Sequence, residues 1–90
     1  MFQICLQNGK SYKVSFIYDY KDKHPVATHC IVKNIANEKI IKGSAFCSPY
    51  DQFNKTLGRK LALQRVLCWF EDKFDRTMFW QAYWEALSQN

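Results

Sequence analysis

Chain-breaking residues are scarce: three glycines and two prolines in 90 residues. That excludes collagen-like and low-complexity chains and predicts short, few loops. No apolar run approaches the 18 residues that a membrane helix needs, so no membrane partner is expected. There is no Cys-x-x-Cys pair and only two histidines, His24 and His29, so no metal site is expected. Neither a Gly-rich phosphate loop nor a Gly-x-Ser-x-Gly elbow occurs. The spacing of Cys30 and His24 gives no support to a nucleophilic pair. The expectation is a protein without enzymatic activity and without a cofactor. Acidic residues are outnumbered, 8 to 13, which excludes an acidic DNA mimic. The start, Met1 to Cys5, has neither a basic lead nor a long apolar stretch, so it does not read as a secretory leader. A cytoplasmic protein with four reduced, mostly buried thiols (Cys5, Cys30, Cys47, Cys68) is expected.

What is abundant is aromatic side chains and positive charge. Aromatics make up 17% of the chain, hydrophobic residues 48%, and the net charge is +5. The length fits a single domain over residues 1–90. Residues 1–50 hold seven lysines and three acids, for +4; residues 51–90 hold six Lys+Arg and five acids, for +1. A basic surface favours polyanionic partners such as nucleic acid or nucleotides.

Residues 1–47 read as an antiparallel meander of four strands. Phe2, Ile4 and Leu6 alternate, and Asn8-Gly9 then signals a hairpin. Tyr12, Val14, Phe16, Tyr18 and Tyr20 share one face of the second strand. Lys21 to Pro25 reads as a polar loop, Val26 to Lys33 as a third strand, and Lys39 to Cys47 as a fourth with a bulge at Gly43. Ser48 reads as an N-cap, with Pro49 in the first turn and Asp51 three residues after the cap. A long helix is expected over 48–73 and a short aromatic C-terminal helix over 75–88, capped by Asp75. One kinked helix is the alternative, since no Gly or Pro separates the two. The expected class is α+β, in the order ββββαα.

Two groups stand out as candidate sites. Lys55, Arg59, Lys60 and Arg65 could meet phosphates or other anions. Arg59 falls in the apolar Leu63–Val66–Phe70 sector, so it must snorkel, pair with a carboxylate such as Asp19 or Asp51, or bind an anionic ligand. Gly58, mid-helix, suggests close backbone approach. The second group, Phe79, Trp80, Tyr83 and Trp84, forms an aromatic stripe. It reads as core, as an oligomer interface or as a partner-binding surface.

The segment Phe46–Leu67 resembles a recurring stretch in small bacteriophage-encoded accessory proteins. Their pattern is Cys-x-Pro-x-Asp-x-Phe-x-Lys, then Gly-Arg-x-x-Ala-x-x-Arg-Ala-Leu. Cys47, Pro49, Asp51, Phe53, Lys55, Gly58, Arg59, Ala62, Arg65 and Leu67 match, and Val66 departs from it. The resemblance covers about a quarter of the chain. It implies a non-enzymatic counter-defence protein, anti-CRISPR-like, that binds a host defence protein or nucleoprotein complex in the host cytoplasm. A nucleic-acid or signalling-nucleotide sponge is the alternative, and an oligomeric interaction module, homodimer or larger, is a third. The strand order also resembles single-stranded nucleic-acid binders of the Pur-alpha type, in topology only.

Overall fold

Period-two alternation in the first half and its loss in the second divide the chain into a sheet followed by helices. The computed structural model describes residues 2–47 and 54–88. Four strands, β1 (Phe2–Cys5), β2 (Ser11–Lys21), β3 (His24–Asn34) and β4 (Ile40–Phe46), precede two helices, α1 (Lys55–Leu67) and α2 (Lys73–Ser88). The sheet is one antiparallel meander in the order β1-β2-β3-β4. This is the α+β arrangement that the sequence predicts.

The register puts Phe2, Val14, Val32 and Ile41 in one cross-strand row. Phe16, Cys30 and Gly43 form the next row, and Tyr18, Thr28 and Ala45 the one after it. These rows face the helices. Ala62, Leu63, Val66 and Leu67 of α1 and Phe79 and Tyr83 of α2 complete the core. Helix α1 lies over β3 and β4, and α2 lies against β1. The apolar face of α1 is thus narrower than its composition suggests. Leu57 near its start and Cys68 at its end are exposed.

Turn chemistry fixes the hairpins. Gly9 has φ 85°, and Lys10 N–H donates to Asn8 Oδ1, as Asn-Gly predicts. The β2–β3 connection is tighter than the loop expected over 21–25. Lys21 pairs with His24, leaving only Asp22 and Lys23 as turn residues, at φ 51° and 68°. Proline does not close this turn; Pro25 sits inside β3 opposite Tyr20, where the register shifts and no ladder donor is needed. Two consecutive non-glycine residues in the left-handed region carry strain. Lys23→Gly should therefore raise stability by about 1 kcal/mol, read as a higher urea midpoint at unchanged slope.

Two further expectations need correction. Gly43 is not a bulge: β3 and β4 pair in unbroken register through it. A Cβ at Gly43 would instead strike the backbone of Ala62 and Val66, so it is at Gly43 that α1 approaches closely. Gly58 is half-buried early in α1, where its N–H donates to Asn54 O at 2.9 Å. The long helix starts at Lys55, capped by the Asn54 side chain on Leu57 N–H at 3.1 Å; Ser48, Pro49 and Asp51 lie outside the described residues.

Helix α1 ends at Leu67, and the two helices are separate. Asp72, rather than Asp75, caps α2: its Oδ1 accepts from Phe74 N–H at 2.8 Å. Arg76 then donates to Phe70 O at 2.6 Å and Glu71 O at 3.0 Å. A side chain, in place of a glycine or proline, holds the corner by satisfying carbonyls between the two helices.

Of the four thiols only Cys30 is fully buried; Cys5 and Cys68 are exposed and Cys47 is half-buried. Burial pushes the Cys30 thiol up to about 12. Iodoacetamide at pH 8 should label Cys5 and Cys68 in the native protein and leave Cys30 unmodified until it unfolds, as read by peptide mass spectrometry.

Candidate anion site at the first turns of α1

The sheet turns Tyr18 toward the helices, and helical spacing puts Lys55 and Arg59 one turn apart above it. Lys55 Nζ stands 4.7 Å from the Tyr18 ring centroid. Arg59 Nη1 donates to Tyr18 Oη at 3.2 Å. On the α2 side, Lys60 Nζ stands 4.9 Å from the Trp84 ring centroid. The Tyr83 and Trp84 rings are 5.3 Å apart at 65°. The Tyr83 hydroxyl faces the Arg59 guanidinium and favours its charged form. A continuous arc of three cations and three aromatic rings results: Lys55, Tyr18, Arg59, Tyr83, Trp84, Lys60.

The electrostatics of the arc are unbalanced. Among the described residues the ion pairs are His29–Asp19 and Lys33–Glu38, and neither touches the arc. Arg59 therefore has no carboxylate partner there. Asp19 is engaged by His29 instead, and Asp51 lies outside the described residues. Burial works against the Arg59 charge, and the Tyr18 and Tyr83 hydroxyls more than offset it, leaving its pKa raised. Arg59 Nε and Tyr83 Oη are nonetheless buried without a hydrogen bond of good geometry, as is Thr28 Oγ1, beside Tyr18 in the sheet. Unspent donors next to an unpaired cation are the features of an anion receptor. The first turn of α1 carries no acid, which leaves its positive dipole end without a carboxylate of its own.

Not every candidate residue joins this arc. Arg65 turns away and donates to Ser44 O at 2.6 Å on β4. Phe79 and Tyr83 are 0% and 2% exposed, inside the chain's own core. Phe79 packs on Tyr12 at 5.7 Å and on Phe70 at 4.8 Å. The aromatic stripe therefore presents Trp84 and part of Trp80, and its other two rings cannot meet a partner.

A second constellation was not legible in the sequence. On the opposite sheet face His29 Nε2 lies 2.7 Å from Asp19 Oδ2, and His29 Nδ1 lies 2.7 Å from Ser44 Oγ. The three residues are 10 and 15 positions apart. Only the pairing of β2 with β3 and of β3 with β4 brings them together. Their chemistry resembles a Ser-His-Asp relay, with His29 buried and Asp19 exposed.

Among the described residues no group of three or more His, Cys, Asp or Glu could hold a metal ion, and no helix is long and apolar enough to cross a membrane. No protein-family model, no curated protein and no solved structure matches the chain.

Proposed function

We propose that the chain is a non-enzymatic nucleotide-binding protein whose Lys55–Arg59–Lys60 arc takes the phosphates. The observation that carries this reading is Arg59, a half-buried cation without a carboxylate partner among the described residues, with one buried donor unused beside the buried Tyr83 hydroxyl. Phosphate supplies the missing charge and accepts from the guanidinium and ammonium groups of the arc. Trp84, 47% exposed and next to Tyr83, supplies a ring on which a base stacks. In the phage setting implied by the resemblance of Phe46–Leu67, such a protein would act against host defence by sequestering a signalling nucleotide. The other route, blocking a host protein complex through the α2 aromatics, is less well supported, because Phe79 and Tyr83 are spent on the core.

The test is calorimetric titration with a nucleoside diphosphate and with inorganic pyrophosphate. Both should bind, the nucleotide more tightly. Arg59→Gln should weaken both by at least about tenfold, the 1.4 kcal/mol expected of one charge-assisted contact. Tyr83→Phe should keep the fold, since the buried hydroxyl it removes makes no hydrogen bond of good geometry, and should weaken binding less, through the lost support of the Arg59 charge. Binding by Arg59→Gln at wild-type affinity would remove this reading.

A further inference from the structure

The sheet face turned away from the helices is polarised in a way that stability alone does not favour. At one end Lys13 of β2 and Lys33 of β3 are direct cross-strand partners, and Lys42 of β4 lies one row on, opposite Ile31. Like charges directly opposite each other destabilise a sheet. Their only described ion pair is Lys33 with Glu38, at 3.8 Å between exposed groups, which contributes little. At the other end stand Phe46, 73% exposed, and Ile17, 49% exposed. The Asp19–His29–Ser44 chain lies between and beside them. With both ring nitrogens of His29 engaged, the imidazole is fixed, and it meets the Phe46 ring edge-on at 6.0 Å and 82°. Phe46 is thereby a supported ring open on its outer side. Asp19, the carboxylate on this face, sits at the aromatic end and is taken up by His29.

Lys42, Ser44 and Phe46 alternate outward along β4, in steps of about 7 Å. Cations, a hydroxyl and a ring thus follow one another along β4, with the exposed Ile40 beside Lys33 at one end and the buried His29 beside Ser44. From this order we infer that the outer sheet face binds single-stranded nucleic acid, with phosphates over Lys13, Lys33 and Lys42 and a base stacked on Phe46. A single strand fits because its bases are free to stack, whereas a duplex hides their faces. The outer face shares no residue with the arc around Arg59, so the two readings stand or fall separately.

A fluorescein-labelled 15-nucleotide oligothymidylate, titrated against the full chain by anisotropy at several salt concentrations, tests it. Lys33→Glu and Lys42→Glu should each weaken binding at least fivefold and lower the salt slope by about one. Phe46→Ala should weaken it by roughly fivefold to a hundredfold with the slope unchanged, the loss of one stacked base. Phe46 is too exposed for its loss to unfold the chain, and circular dichroism checks this. Lys73→Gln, which removes an exposed cation outside both groups, should leave the oligonucleotide affinity within twofold. The inference is overturned if the wild type does not bind the oligonucleotide at 50 mM salt. It is equally overturned if a duplex of the same length binds as tightly, or if the Lys and Phe46 variants bind like the wild type. A Phe46→Ala change that converts a dimer to a monomer in light scattering, with oligonucleotide affinity intact, would assign the face to a second copy and also overturn it.

Discussion

Gly43→Ala should destabilise the protein by at least about 3 kcal/mol, at the upper end of what overpacking costs. The added Cβ would point into backbone, at Ala62 O and Val66 N of α1. A flexible side chain could move aside, but a helix backbone can move only as a unit. Shifting α1 would pull Ala62, Leu63, Val66 and Leu67 off the sheet together. For a small domain with a total stability of about 5–15 kcal/mol, that is a large share. Gly9→Ala is the control. Nothing lies within 4 Å of its added Cβ, so only the φ of 85° costs, about 1 kcal/mol. Urea denaturation of both variants checks the contrast. A Gly43→Ala loss no larger than that of Gly9→Ala would mean that α1 is not seated on β4.

The second large effect lies in the aromatic stripe of α2. Phe79→Ala should cost about 3–5 kcal/mol, because the ring is fully buried among Tyr12, Phe70 and the α1 core. Trp84→Ala should cost at most about 1 kcal/mol, since Trp84 is half exposed and chiefly loses its contacts with Lys60 and Tyr83. The two residues are five apart on one helix, yet their substitutions should separate stability from binding. Phe79→Ala should lower the urea midpoint sharply. Trp84→Ala should fold normally and lose nucleotide affinity. Equal destabilisation by both would place Trp84 in the core and leave the proposed base-stacking surface without its ring.

These contrasts show what local pattern conveys and what it cannot. Strand alternation from Tyr12 to Tyr18 and the Asn8-Gly9 turn made the meander legible, because both are short-range signals. The Asp22–Lys23 turn was not legible, since neither residue prefers the left-handed region and pairing of the long β2 and β3 ladders imposes it. The break at Leu67 was hidden for a related reason. Arg76, nine residues later, marks it through carbonyl contacts rather than through a breaker residue. Helical angles placed Lys55 and Arg59 together but could not show that Lys60 reaches Trp84, because that contact depends on how α1 and α2 lie side by side. The outer-face chain of Asp19, His29 and Ser44 depends on register across three strands, which no local pattern encodes.

By composition alone, positive charge suits an anionic partner, while the aromatic residues suit the core or an interface. In the fold they meet twice: Lys55 and Lys60 lie over the rings of Tyr18 and Trp84, and the outer-face lysines lead to Phe46. Phosphate and base are chemically suited to that combination, because one is anionic and the other is a flat ring.

The most direct measurement is a two-dimensional NMR titration of the protein with a nucleoside diphosphate, following backbone amides together with the tryptophan indole N–H signals. The account predicts saturable shifts confined to Lys55–Lys60, Tyr18 and the Trp84 indole, with Trp69 and the outer-face residues of β2–β4 unmoved. Unchanged spectra at millimolar nucleotide, or shifts that leave the first turns of α1 untouched, would contradict it.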